Sequence, residues 1–110
     1  MLIDFSKSIT DFNGNPVKDG EGEGAKILTL STVAINALLG TLPDQNGRPE
    51  QLSGEGKVRH AALAQSIYNS AGDMDVKLED LALLKERIGR SYGPLTVLRA
   101  WSILEGDHGK

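Results

Sequence analysis

Two kinds of hydrophobic spacing divide the chain. Over the first 30 residues, the short apolar runs Leu2-Ile3-Asp4-Phe5 and Ile27-Leu28-Thr29-Leu30 are separated by the turn chemistry of NGNP and KDG. Apolar runs bounded by Gly, Pro, Asn and Asp read as paired strands. From residue 31 onward the apolar positions recur every three or four residues, the period of one helix face. The fold class expected is α+β: an N-terminal β-hairpin followed by a cluster of about four α-helices. One domain spans 1–110, with a hairpin region 1–30, a helical region 31–106 and a tail 107–110. A lone hairpin is marginal in water, so this one must lean on the helices or pair with another molecule. No internal repeat is evident.

The change of period falls in LTLSTVAINALLG. Ser31 is placed to cap a helix over 32–39, Leu30 and Ile35 are spaced for a hydrophobic staple, and Gly40 stands where a left-handed C-terminal cap is expected. The following TLPDQNGRPEQLSGEG, residues 41–56, holds two prolines and three glycines and no apolar period. It reads as an exposed connection, and its length makes it a first place to look for a binding segment. A second helix is expected from about 54 to 71, opened by Ser53 and closed near Gly72. Val58, Ala61, Ala62, Ala64, Ile67 and Tyr68 form its apolar stripe, and Lys57, Arg59 and Gln65 are left for solvent. So many alanines suit close helix approach, in a bundle or at an interface.

The third helix, VKLEDLALLKERIGRSY, carries Glu79 and Asp80 in its first turn and Lys85, Arg87 and Arg90 toward its end, as the helix dipole favours. Leu81, Leu83, Leu84 and Ile88 are its core candidates. Gly93-Pro94 breaks the chain and opens a fourth helix in PLTVLRAWSILEG, with Leu95, Leu98, Trp101 and Leu104 on one stripe and Gly106 as its stop.

Composition narrows the function classes. Hydrophobic content of 39% and charged content of 25% are ordinary for a globular domain. The absence of cysteine excludes disulfides, zinc-thiolate sites and cysteine nucleophiles, and fits a reducing cytosol. A net charge of −3 offers no general attraction to nucleic acid phosphates. MLIDFSKS lacks a basic segment leading into an apolar stretch, and no run approaches about 18 apolar residues. The expectation is a chain neither secreted by that route nor membrane-spanning, with no membrane among its partners.

Candidate chemistry is sparse. Asp11, Asn13 and Asn15 alternate like the first ligands of an EF-hand, but that loop needs Gly at its sixth position and Glu at its twelfth, where Pro16 and Gly22 stand. The stretch reads as a turn. Asp73 and Asp75 fail the same test at Leu78 and Leu84, and are expected to end one helix and start the next. GEGEGAK and SGEGKV approximate phosphate loops but lack the required residues or the following helix. His60 has Leu63 and Ala64 where an acidic helical partner would stand, so a solvated surface histidine is expected; His108 lies in the tail. No catalytic, cofactor-binding or metal-binding residue is assigned, no cofactor is implied, and an enzyme is not expected.

IDFSKSITDFNGNPVKDG, then LTLSTVAINALLG, then VKLEDLALLKERIGRSYGPLTVLRAW together resemble small uncharacterised proteins of tailed bacteriophages and prophages. The opening hairpin followed by LTL and a helix is also similar to the start of phage tail-assembly chaperones. The resemblance implies a non-enzymatic protein-interaction module in virion assembly, at the tail or the head-tail junction. Phage structural or assembly proteins are the implied partners, with homo-oligomerisation beside them. The implied place is the cytoplasm of the bacterial host, or the virion itself. The hairpin edge and the 41–56 loop are the expected contact surfaces. The alternative is a phage DNA-binding regulator using the last two helices, with Lys85, Arg87, Arg90 and Arg99 on phosphates. Its recognition helix would offer only Thr96, Arg99 and Ser102 to the bases, so nucleic acid ranks below protein as a partner.

Overall fold

The run Leu2–Phe5 does form a strand, but its partner lies far along the chain. In the computed structural model, which describes residues 2–19, 26–70 and 72–106, the elements are β1 (Leu2–Asp4), β2 (Lys18–Asp19), β3 (Lys26–Ile27), α1 (Leu30–Leu39), α2 (Gly54–Asn69), β4 (Asp73–Asp75), α3 (Leu78–Ser91) and α4 (Pro94–Leu104). The α+β class and the four helices are as the spacing predicts. β1 pairs antiparallel with β4, Leu2 opposite Asp75, Ile3 opposite Met74 and Asp4 opposite Asp73. Both segments alternate: Ile3 and Phe5 are buried on one side, Met74 and Val76 turn inward on the other, and Asp73 and Asp75 face out. Asp73 and Asp75 are therefore strand residues and not the ends of adjoining helices.

The hairpin proper is β2–β3, with Lys18 opposite Ile27 and Asp19 opposite Lys26. A third segment closes its base. Ile9 N–H donates to Leu28 C=O, Leu28 N–H to Val17 C=O, and Val17 N–H to Ile9 C=O, each at 2.8 Å. This cycle of backbone bonds fills the hairpin's edges at its base, so that part of the edge expected as a contact surface is already paired. The tip, 20–25, lies outside the described residues, as does the tail with His108.

A short repeat emerges, contrary to the expectation of none: DFNGNP at 11–16 and DQNGRP at 44–49 fold alike. Asp11 Oδ1 accepts the amides of Asn13 and Asn15 at 2.9 and 3.0 Å; Asp44 Oδ1 accepts those of Asn46 and Arg48 at 2.8 and 3.0 Å. Gly14 and Gly47 take the left-handed conformation each turn needs, with φ of 85° and 78°. Pro16 and Pro49 close the turns by bridging to Thr10 and Pro43. The 41–56 stretch is thus less open than expected: Leu42 is buried and its carbonyl accepts the amide of Glu50 at 2.9 Å.

α1 begins at Leu30, ahead of the expected 32, because Thr29 is the N-cap and accepts from the Thr32 amide at 3.3 Å. Ser31 lies inside the first turn and donates its amide to Phe5 C=O. α2 opens on Ser53, whose Oγ accepts from Gly56, and α4 opens on Pro94 and stops before Gly106 at φ 74°. α1 is the central element: Val33, Ala34, Ala37 and Leu38 pack against Leu63, Ala64 and Ile67 of α2, Leu84 and Ile88 of α3, and Ala100 and Leu104 of α4, with Ile3, Phe5 and Ile9 completing the core.

Of the apolar stripe expected on α2, only Ala64 and Ile67 are buried. His60, Leu63, Ala64 and Ile67 point inward, whereas Val58, Ala61, Ala62 and Tyr68 are exposed. α2 has apolar residues on opposite sides, and α1 covers the one with the larger aliphatic groups. In α3, likewise, Leu81 and Leu83 are only partly buried while Arg87 occupies the interior; Leu98 of α4 is exposed.

Candidate functional site: a clamp and a cleft beside α2

Gly40 is extended, with φ −73° and ψ 153°, where a left-handed cap was expected. The orphan carbonyls at the end of α1 find a donor elsewhere, in Arg87 of α3. Its Nε donates to Ala37 C=O at 3.0 Å, one terminal nitrogen to Gly40 C=O at 2.6 Å, and the other to both carboxylate oxygens of Glu50 at 2.7 and 2.8 Å. Glu50 also accepts the Leu42 amide at 2.7 Å. Arg90 donates to Pro43 C=O at 2.6 Å and stands 3.9 Å from Glu50. The Arg87 side chain is 2% exposed and that of Glu50 11%. A charge pair this buried is tolerated because its polar atoms are bonded. The hydrogen bonds from Arg87 hold the Glu50 carboxyl below the usual range against the opposing effect of burial, with the Leu42 amide and Arg90 adding to them.

His60 lies beside this clamp and, contrary to the surface histidine expected, is 8% exposed, with no hydrogen-bond partner for its buried Nδ1. Burial, and then the positive charge of Arg87, push its pKa down, against smaller opposing effects of Glu50 and the Leu38 backbone. The imidazole is accordingly neutral at neutral pH.

Between the end of α1 and the start of α2 lies a cleft of about 210 Å³, walled by Leu38, Leu39, Leu52 and Ala61 and carrying Lys57 and His60. Lys57 makes no ion pair among the described residues, whereas Arg59 beside it reaches Asp80 at 3.4 Å. Chemically the cleft offers apolar walls, a cation with no ion pair among the described residues, and a carboxylate already spent on two arginines. Among the described residues, no three His, Asp or Glu side chains converge as a metal site would require.

Sequence reasoning named no site residue and missed Glu50, His60 and Arg87. One signal was present: Arg87 sits beside Leu84 and Ile88 on the core stripe of α3, where a cation demands a buried acid. The four cations of the DNA-binding alternative are all engaged within the chain. Beyond Arg87 and Arg90, Lys85 pairs with Glu105 at 2.8 Å and lies 4.8 Å over the Trp101 ring. Arg99 donates to Thr10 C=O and Asp11 C=O at 3.1 and 3.0 Å.

Fold and site together define a small α+β domain braced by a buried arginine clamp, with an apolar cleft and an exposed apolar helix face beside it. No family model, curated protein or solved structure matches the chain.

Proposed function

We propose that this chain is a non-enzymatic protein-interaction module used in assembling the particle of a tailed phage or prophage, at the tail or the head-tail junction. One observation carries the interaction reading. α2 presents Val58, Ala61, Ala62 and Tyr68 to solvent at helical spacing, opposite its core face, with Val58 69% and Tyr68 77% exposed. Leu39 of α1 is exposed where the two helices wall the cleft, extending the apolar surface. Exposed apolar side chains gathered on one helix face, here around the polar Gln65, are the kind of surface at which proteins associate.

The phage setting is supported by the resemblance of the three segments described above. Its partners would be phage structural or assembly proteins, with a second copy of the chain as an oligomeric partner, first in the host cytoplasm and then in the virion. None of the described helices is long and apolar enough to cross a membrane. The DNA-binding reading ranks lower, because Lys85, Arg87, Arg90 and Arg99 already spend donors on their own chain. The test is a cross-linked pull-down of the tagged protein from cells expressing its parent phage genes, read by mass spectrometry. Capture of head or tail proteins, reduced in Ala62→Glu, is the expected outcome. Enrichment of DNA or polymerase subunits with no virion protein would overturn the proposal.

A further inference from the structure

We infer that the cleft between the end of α1 and the start of α2 docks an acidic, apolar peptide segment of a partner protein, one large apolar side chain entering the cavity while a neighbouring carboxylate pairs with Lys57. This rests on the interaction reading above and adds the place and chemistry of the contact.

Size, lining and charge each point to that occupant. About 210 Å³ is on the scale of a single large side chain, below the usual range of drug-sized pockets. Leu38, Leu39, Leu52 and Ala61 supply apolar walls, and the exposed Leu39 and Val58 carry that character onto the surface, where the rest of a peptide would lie. Glu50 is the acid of the cleft, and Arg87 and Arg90 already neutralise it. Lys57 is exposed and free of ion pairs among the described residues, so the unbalanced charge on the wall is positive. Among the amides of the first turn of α2, those of Gly56 and Lys57 are already taken up, donating to the Oγ and carbonyl of Ser53 at 3.0 and 2.9 Å, so the Lys57 side chain and not its backbone is the group that answers the carboxylate. A basic segment would meet Lys57 with like charge, and a wholly apolar one would leave it unanswered.

Two probe peptides test this by titration into the ¹⁵N-labelled protein: acetyl-Asp-Glu-Leu-Phe-Glu-amide, and the same peptide with lysine at each acidic position. The acidic probe is expected to give saturable shifts centred on the amides of Leu39, Gly40, Thr41 and Ala61. The basic probe should bind about two- to fivefold more weakly, the range that one exposed ion pair supports. Lys57→Glu should reverse that order, and Ala61→Trp, at an exposed position, should fill the cavity and weaken both. Absence of saturable shifts, shifts centred elsewhere, or equal response to the two probes overturns the inference. Failure here is separable from failure of the parent reading. If Lys57→Glu and Ala61→Trp still capture head or tail proteins in the cross-linked pull-down, the module stands and the cleft is overturned as its site. If the acidic probe binds as expected while no virion protein is captured, the cleft stands and the assembly role falls.

Discussion

Arg87 joins three parts of the chain that share no sequence neighbourhood: the end of α1, the segment after the second turn, and α3. Its replacement is therefore costly in several ways at once. Arg87→Met leaves Glu50 buried without its counter-ion and uncaps α1, and should lower unfolding free energy in urea by about 3 to 5 kcal/mol. A loss below about 1 kcal/mol, the scale of a surface ion pair, would show that the clamp is open in solution. Acid should act on the same residues in two stages. The Glu50 carboxyl is held below its ordinary value of 4.5, so the stability it adds is present above that pH and lost as pH falls through its folded pKa. His60 is held below its ordinary 6.5, so from that pH downward the unfolded chain takes up a proton that the folded chain refuses, and stability falls until the buried ring protonates. Melting temperature is expected to decline first below about pH 6.5 and again below about pH 4.5. His60→Leu, which removes the unpartnered nitrogen, should abolish the upper stage and leave the lower one. An unchanged upper stage in that variant would assign it elsewhere. Little of this was legible beforehand, because the clamp joins Ala37, Gly40, Glu50 and Arg87 through space. Only the cation on an apolar stripe hinted at a hidden acid.

At the scale of elements, period was a good guide to what forms and a poor guide to what it touches. The helices were readable from Ser53, Pro94, Gly106 and the apolar recurrence, because these features act within a turn or two of where they stand. The partner of β1 was not, since alternation tells a strand which face is buried and says nothing about its neighbour. The face of α2 was read only in part, Ala64 and Ile67 being buried as expected while Val58, Ala61, Ala62 and Tyr68 are not, because alanine weighs little in burial and Leu63 turns the core face away from the other small residues. The two matching turns supply their own test. A Cβ at Gly14 or Gly47 would meet nothing within 4 Å, so only the backbone conformation opposes it. Gly14→Ala and Gly47→Ala should each cost about 1 to 2 kcal/mol and differ little from one another. A near-zero effect at either would mean that its turn can adopt another conformation.

For the molecule as a whole, the unburied side of α2 separates association from stability. Ala62→Glu lies away from every core contact and should change the melting midpoint by less than about 0.5 kcal/mol equivalent while reducing partner capture. Loss of stability together with capture would instead place Ala62 in the core.

The pairing of β1 with β4 also sets an order of events in time. The strand holding Ile3 cannot be completed until Asp73–Asp75 is available, after both α1 and α2, whereas α1 and α2 meet across one connection. Closing the shorter loop loses less chain entropy, so the helices should collapse first and β1 should dock after the rate-limiting barrier. Ile3→Val would then accelerate unfolding and leave the refolding rate nearly unchanged in stopped-flow measurements; a slowed refolding arm would place the strand in the nucleus. During synthesis, Leu2–Asp4 would wait without a strand partner while two helices form behind it, even though residues 5–9 can already bond to the segment that opens α1.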